Sequence, residues 1–502
     1  MGIPSYYRKL LRTNPELVRK NVDKEIDWLW MDFNCLIYHC LRRPDLRPYP
    51  GSEGKEEWEA DFLKAIVAYV QKVVGEVKPT KGVYIGIDGV VPMAKMKQQR
   101  MRRFKSSWLV ERGLAEGQTE GQKARWDTNA ITPGTLFMAK LKRTLEEVAR
   151  RKKWILSSSD EPGEGEHKVM AQIRALEGNV RGAIYGLDAD LIVLSLLTQD
   201  TMAKKGKTVD LWLFREQVEE GALVRDGTGE EVFQWFSIGG LRDILKERVN
   251  IRDYCFAMSF LGNDFLPISL GLKMREDGHD VLLDLIGGKS LLKEDEIDSR
   301  GLSNLLRTLA REEERRIGIF VSKKLEYGAR FVGLEVGHED WPMSEKEELC
   351  LMTRGNRLRP DWPSIYRKVF LQEADVKDTV RVYHEGLRWI WDYYRGKEVC
   401  YNWYYPWTMP PLWSEIAQNV IIGGVPIVVR GVDIQPVEQL CLVLPPASWN
   451  LIPSAKHKGL LTKAPYLFPK DFRFSSVGRR FFWECEAEIP IPSIREVKAI
   501  LG

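Results

Sequence analysis

Three short apolar runs, IDWLWMDFN (26–34), GVYIGIDG (82–89) and GAIYGLDAD (182–190), each carry aspartate near their far end. Between them lie DFLKAIVAYVQKVV (61–74) and TLFMAKLKRTLEEVARR (135–151), whose apolar residues recur at helical spacing. Strand-like runs alternating with helices restrict the first part of the chain to an α/β domain with a largely parallel sheet, because parallel strands need crossover connections. In such a sheet ligands bind beyond the carboxyl ends of the strands. The acids stand at that edge: Asp32 on the first run, Asp88 on the second, Asp188 and Asp190 on the third. Residues i and i+2 of a strand share a side, so Asp188 and Asp190 are expected to converge on one point.

Further acids join them. In SSSDEPGEGEHKVMAQIRAL (157–176) the apolar positions 169, 170, 173 and 176 define a helix, with Asp160 and Pro162 as its start signals. Glu164 and Glu166 then fall in or just before the first turn, where backbone N–H groups favour negative charge. Asp264 is embedded in the apolar run FLGNDFLPISL (260–270). Any one of these reads as an ordinary cap or turn residue. Together they ask for a cation, since no basic residue of the same segments is matched to them and crowded carboxylates repel one another. Oxygen donors select Mg²⁺ or Mn²⁺ over zinc. Two such ions can activate a water and stabilise the leaving oxygen of a phosphodiester. The expected ligands are Asp32, Asp88, Glu164, Glu166, Asp188, Asp190 and Asp264.

Directly after Asp88 comes VVPMAKMKQQRMRRFKSS (90–107). Lys95, Gln99, Arg102 and Arg103 are spaced i, i+4, i+7 and i+8, one face of a helix. Guanidinium groups grip phosphate bidentately and lysine adds a point charge. A phosphate pocket beside a metal centre suits an enzyme that holds a nucleic-acid end. The Gly-Lys-Thr of KKGKT (204–208) is not a phosphate loop, because the first glycine that motif needs is Thr201; a polar hairpin is expected there.

The net charge of +4 is too small to prove a nucleic-acid partner, so the local clustering carries that argument. Seven scattered cysteines, with no Cys-x-x-Cys, speak against disulfides and structural zinc and for a reducing compartment. No apolar run approaches the length of a membrane span. MGIPSYYRKL is not a secretory signal, and Tyr6 stands where a myristoylation signal needs Ser or Thr. The expectation is an intracellular, cytoplasmic protein with nuclear entry left open. Residues 105–130 read as a mobile flap or short helix over a cleft. REEERR (311–316) reads as a solvated helix face. Aromatics crowd 389–413, and prolines punctuate the chain beyond them. Composition divides the chain into 1–320, the domain with the metal site and phosphate pocket; 321–355, a charged helical linker; and 356–502, an aromatic-rich α+β region bracing the site.

MDFNCLIYHC, IDGVVPMAKMKQQRMRRF, NAITPGTLFMAKL, PGEGEHKVM, YGLDADLIVLSL and FLGNDFLPISL together resemble the eukaryotic 5′→3′ exoribonuclease family, often called Xrn/Rat. WDYYRGKEVCYNWYYPWTMPP, QPVEQLCLVLPPASWNLIP and FPKDFRFSSVGRRFFWE resemble that family's second conserved region. The resemblance runs along nearly the whole chain in order. It implies a PIN/flap-endonuclease-like sheet flanked by helices, with the second region packed on it. It implies Mg²⁺-dependent, processive hydrolysis of single-stranded RNA from a 5′-monophosphate end, by a monomer, with release of mononucleotides. The seven acids would hold two ions, and Mn²⁺ would substitute for Mg²⁺. Lys95, Gln99, Arg102 and Arg103 would form a 5′-phosphate pocket too tight for a cap or triphosphate, and Asn34 would contact substrate. The histidine that the family places six residues after its first metal aspartate is Tyr38 here, and an aromatic ring there still stacks on a base. The opposing tryptophan falls in CYNWYY, as Tyr401 or Trp403. The chain stops soon after FFWECEAEIPIP, so a catalytic module without long C-terminal extensions is expected, and its protein partners are unknown.

Two other functions fit parts of this pattern. A DNA flap endonuclease shares the fold, but no Gly-hairpin signal follows the last acid. A non-catalytic RNA-binding protein retaining the fold would not need all seven acids intact.

Overall fold

The computed structural model describes residues 3, 5–114, 125–219, 222–327, 343, 348–419, 433–479 and 481–502. Helix α1 (Tyr6–Thr13) and a short strand β1 (Val18–Arg19) lead into β2 (Trp28–Asp32), α2 (Asn34–Leu41), α3 (Lys55–Val77) and β3 (Gly82–Gly86). The basic helix α4 (Met93–Glu111) precedes α5 (Leu136–Lys152), β4 (Ile155–Ser157), α6 (Gly165–Ala175), β5 (Val180–Tyr185) and α7 (Asp190–Lys204). Strand β6 (Val209–Glu216), the short pair β7 (Val218–Glu219) and β8 (Ala222–Leu223), and β9 (Phe233–Ser237) come next. The sheet order is β1-β9-β6-β5-β2-β3-β4; β4, β3, β2, β5 and β6 run parallel, and β9 is antiparallel to β6.

The parallel strands are buried on both faces, which is why they read as continuous apolar runs. Trp30, Ile184, Leu211 and Leu213 face a core built with α6 and α7. Their neighbours Leu29, Met31, Ala183, Tyr185 and Phe214 face a second core with α3 and α5. All of these side chains are at most 2% exposed. The predicted α/β layering is therefore present, though the strands are shorter than the apolar runs. β3 ends at Gly86 and β5 at Tyr185.

Further helices complete the layer that carries the site: α8 (Ile238–Lys246), α9 (Ile251–Ala257), α10 (Gly278–Ile286) and the long α11 (Ser299–Tyr327), which runs through position 320. REEERR differs from expectation at one place. Glu313 is buried and accepts from the backbone N–H groups of Trp413 and Ser414, because α11 packs its inner face on the aromatic region. KKGKT is not a hairpin; it is the end of α7 and the loop into β6. Of the expected flap, α4 takes the part to Glu111, Trp126 packs with Trp58 and Phe137, and 115–124 lie outside the described residues.

The aromatic region is held by α12 (Trp362–Phe370), α13 (Val376–Tyr394) and α14 (Trp413–Gln418), then by α15 (Pro436–Val443), α16 (Lys458–Lys463) and α17 (Ile494–Leu501). Among the described residues its only ladder is the pairing of Phe474–Ser475 with Glu486–Ala487. Trp389 and Trp391 are fully buried and pack on Phe265 and Phe256, so this region and the sheet domain share one core. All seven cysteines are free. Among the described residues no helix is long and apolar enough to cross a membrane.

Candidate active site

The acids meet, but not all by the expected route. Asp32 is the last residue of β2, and Asp88 lies two residues past β3. Asp188 and Asp190 are not on a strand. Asp188 sits in the loop after β5, and Asp190 is the first residue of α7, so the alternation argument for that pair fails. The loop turns instead, and brings both toward the strand ends. The start signal at Asp160 also fails: its carboxylate is on the surface and pairs with Lys142, while Glu164 itself is the cap residue of α6. Glu164 and Glu166 thus stand at the helix N-terminus, where exposed N–H groups favour them.

Close approach requires glycine at 165. A Cβ there would lie 2.6 Å from the Gly86 carbonyl oxygen and 2.8 Å from Asp32 Oδ1. The Gly165 N–H donates to Asp88 Oδ1 at 2.7 Å. The N-terminus of α6 is therefore seated directly on the ends of β2 and β3. Asp264 is delivered differently. Gly262 adopts φ 81°, and the Asn263 side chain accepts from the N–H groups of Phe265 and Leu266, which turns the chain outward at Asp264.

Asp32, Glu166 and Asp188 each offer a carboxylate oxygen within 4.8 Å of the other two, and Glu164 and Glu166 do the same with His167. Asp190 lies behind this group, 2% exposed, and its Oδ1 has no hydrogen-bond partner among the described residues. Hard oxygens, buried and mutually close, fit a divalent cation. The charges agree with this. Burial and then the neighbouring Asp88 push the Asp32 carboxyl well up. Burial and then Asp190 do the same to Glu166. Burial and then Asp188 push Asp190 up to about 7. These groups resist ionising together without a counter-charge.

One counter-charge comes from the chain. Lys95 Nζ lies 2.6 Å from Glu164 and 2.8 Å from Asp264. No basic residue within the acidic segments was expected to match the acids, and this counter-charge indeed arrives from outside them, carried in by α4. Its two partners respond differently. Burial is the largest single influence on Asp264 and opposes ionisation, yet the nearby positive charges, Lys95 foremost with its hydrogen bond and Arg102 adding to it, together hold the carboxyl at about 2. At Glu164 burial wins over Lys95, because Asp88 adds repulsion, and the carboxyl is raised. Lys168, in the acidic segment, donates to the carbonyl oxygens of Ile87 and Ser158 and not to the acids.

The cleft that contains Asp32, Asp88, Glu164, Glu166, Asp188 and Asp264 has a volume of about 680 Å³, and Lys95, Gln99, Arg102 and Arg103 line it too. Gln99 and Arg103 are buried, and Gln99 Oε1 and Arg103 Nη1 have no hydrogen-bond partner among the described residues. Burial lowers Arg103 to about 10. A buried guanidinium with an open N–H suits an anion, whereas the open atom of Gln99 is its amide oxygen, an acceptor that suits a donor such as a hydroxyl or base N–H. Asn34 also lines the cleft, and it holds Asp88 by a reciprocal pair: Nδ2 donates at 2.9 Å, and its Oδ1 accepts the Asp88 N–H at 3.2 Å.

Tyr38 lines the cleft, half-buried on α2. Neither Tyr401 nor Trp403 is among the residues lining it. Trp403 stacks on Trp389 with ring centroids 5.3 Å apart, and the Tyr401 carbonyl accepts the Met93 N–H at the start of α4. Two further residues at the site are absent from the sequence expectations. Tyr393 donates its hydroxyl to Glu164 Oε1 at 2.7 Å, and the His167 ring lies 3.8 Å from the Tyr393 ring. His167 adjoins Glu166 in sequence, which is a signal that could have found it. Tyr393 lies 229 positions from Glu164 and gives none.

Residues 1–204 match the family model described as XRN 5'-3' exonuclease N-terminus, and residues 366–498 match the Xrn1 helical domain. The chain is 28% identical to 5'-3' exoribonuclease 1 of Homo sapiens over 98% of its own length and 33% of that protein's. It is 25% identical to the Schizosaccharomyces pombe 5'-3' exoribonuclease 1 over 100% of its length and 48% of the relative's. It is 32% identical to 5'-3' exoribonuclease 2 of Eremothecium gossypii over 57% of this chain and 38% of that one. The chain thus spans between a third and a half of these relatives. A looser likeness, TM-score 0.35 at 11% identity over 66% of this chain and 81% of the other, is to the catalytic core of Rad2 in complex with DNA substrate. With the nuclease model over the sheet domain and the helical model over the aromatic region, in that order, the chain belongs to the XRN 5'-3' exonuclease family.

Proposed function

We propose that this protein is a divalent-metal-dependent 5′→3′ exoribonuclease that acts on single-stranded RNA with a 5′-monophosphate and releases mononucleotides. The observation that carries the reading is the shared cleft. Carboxylates from the ends of β2, β3 and β5 and from α6 line the same cleft as the buried Arg103 guanidinium, whose Nη1 has no hydrogen-bond partner among the described residues. An anion site next to a cluster of carboxylates is what cutting one nucleotide in from a phosphorylated end needs. The names of the relatives support the same activity.

Asp32, Glu166 and Asp188 would hold divalent metal, with Asp88, Glu164, Asp190 and Asp264 around them. Mg²⁺, or Mn²⁺ in its place, would supply Lewis-acid activation of water and charge neutralisation at the leaving 3′-oxygen. The chain's own groups do the rest. Gln99, Arg102 and Arg103 take the 5′-phosphate and set the register of the strand. Tyr38 offers a ring for the first base. Asn34 and Tyr393 fix the orientation of Asp88 and Glu164. Lys95 limits the repulsion among the acids and stands ready for negative charge developing on the phosphoryl group.

The test compares one RNA sequence bearing a 5′-monophosphate, 5′-triphosphate or 5′-hydroxyl, with Mg²⁺. Rapid mononucleotide release is expected only from the monophosphate. Equal rates on all three, or faster cutting of a flapped DNA, overturns the reading.

A further inference from the structure

A second groove opens from the catalytic cleft on the far side of the Lys95–Asp264 ion pair. Arg102 and Asp264 line both the cleft and a compartment of about 370 Å³. That compartment shares Arg275, Arg479 and Trp483 with a larger one of about 860 Å³, which reaches α1. The three compartments therefore adjoin in series, from the acids to the N-terminal helix, through walls they share.

Its chemistry is that of a strand-binding surface. Trp483 is 60% exposed, although its backbone is firmly held. Lys105 of α4 donates to the carbonyl oxygens of Phe482, Trp483 and Cys485, and Glu484 accepts the Phe481 N–H at 3.2 Å. The Phe481 and Trp483 rings lie parallel, 9° apart in plane with centroids 6.1 Å apart. The Arg275 guanidinium sits 5.2 Å from the Trp483 ring and is itself fixed by Ser5 and Glu484. Opposite, Arg8 and Arg12 are exposed one turn apart on α1. Eight basic residues line the larger compartment against two acidic ones. Five of the eight are paired with carboxylates, Lys9 with Asp280, Arg275 with Glu484, Lys323 with Glu276, Lys324 with Glu348 and Arg479 with Glu486, so the positive charge the groove shows to solvent centres on the exposed Arg8 and Arg12.

We propose that this groove binds single-stranded RNA outside the catalytic cleft, with a base stacked on Trp483 and its phosphates on Arg8, Arg12 and Arg479. A solvent-facing indole on an anchored backbone, near cations, is sequence-tolerant for bases and suits a protein that must hold any strand while shortening it. The open, elongated trough fits a chain of nucleotides better than one small ligand, which prefers an enclosed pocket. The proposal rests on the exoribonuclease reading for its purpose, but its test does not.

Binding of 5′-monophosphorylated RNA is measured by fluorescence anisotropy with divalent ions chelated. One RNA is only long enough to fill the cleft; the other is long and unstructured. Trp483→Ala is expected to weaken the long RNA about tenfold, and Trp483→Phe to restore most of it. Arg8→Gln with Arg12→Gln is expected to make the salt dependence of long-RNA binding shallower by about 1.4 in log–log slope. Short-RNA binding and hydrolysis should stay unchanged, and run length on long RNA should fall. Unaltered long-RNA binding in these variants overturns the proposal, as does an equal loss on short and long RNA. Relief of product inhibition by Trp483→Ala without any loss of long-RNA binding also overturns it, and makes the groove a mononucleotide exit. A wild-type protein that binds long RNA through Trp483 but releases no mononucleotide sinks the exoribonuclease reading and leaves the groove standing.

Discussion

Lys95 shows how much one side chain can decide. It stands 2.6 and 2.8 Å from two nearly buried carboxylates. Removing one member of a buried pair leaves the others uncompensated, at a cost of about 3–5 kcal/mol. Lys95→Met should therefore lose activity and lower the midpoint of chemical denaturation, with part of the stability returned by Mg²⁺. Unchanged stability would mean the pair is not formed. Gly165 is equally constrained, by space rather than charge. Gly165→Ala drives a methyl into the Gly86 carbonyl and Asp32, and overpacking of this kind costs about 1–3 kcal/mol. A fall in kcat larger than the fall in stability is expected, since α6 and the carboxylates of Glu164 and Glu166 must shift together. Both residues and their partners stand in stretches of sequence that announce a site, yet nothing in the sequence says which pairs with which. The spacing of Lys95 with Gln99 and Arg103 suggests only a phosphate, because Asp264 lies 169 positions away.

The helix α4 carries two functions on two faces. Towards the cleft it presents Lys95, Gln99, Arg102 and Arg103. On the other side Arg100, fully buried, donates to the carbonyl oxygens of Pro490, Leu442 and Leu467, and Lys97 donates to that of Tyr405. Burial lowers Arg100 to about 9, yet its planar fork meets three backbone acceptors at once. Arg100→Met strands those carbonyls and should destabilise the protein by at least about 2 kcal/mol in urea unfolding. Arg102→Ala, at an exposed position, should stay within about 0.5 kcal/mol of wild type and raise KM for monophosphorylated RNA about tenfold. If the two variants behave alike, the division of faces is wrong. In the sequence every cation of this helix looks equally available, because backbone carbonyls offered by distant segments leave no mark on its own pattern.

Across the whole molecule the carboxylate cluster ties stability to pH and metal. Asp32, Glu166 and Asp190 are raised, Asp190 to about 7, so without metal the folded protein keeps protons that the unfolded chain has released. For raised groups the stabilisation is complete below the ordinary carboxylate range and is lost as pH rises through the folded value. Without metal the unfolding free energy should thus fall from about pH 4 to about pH 7, by up to about 1.4 kcal/mol per pH unit for each carboxyl held protonated, and Tm in thermal unfolding should fall with it. Added Mg²⁺ should displace those protons, and its stabilising effect should grow with pH across the same window. A metal effect that shrinks with rising pH would contradict the cluster as ligand.

What could be read locally was the alternation of buried strands and helices, and the placing of acids where strands end. Burial on both faces writes a continuous apolar run into any parallel strand, and a carboxylate in such a run is too costly to be idle. The basic face of α4 was legible for the same reason, as a period within one helix. The bonds that make these groups a site join residues far apart in the chain: Tyr393 with Glu164, Lys95 with Asp264, Arg100 with the carbonyls of the aromatic region. The outward turns at Asp188 and Asp264 belong to the same class, as does the packing of half-buried Trp403 on Trp389. Such contacts depend on which surfaces the folded layers bring together, and no window of residues holds both partners.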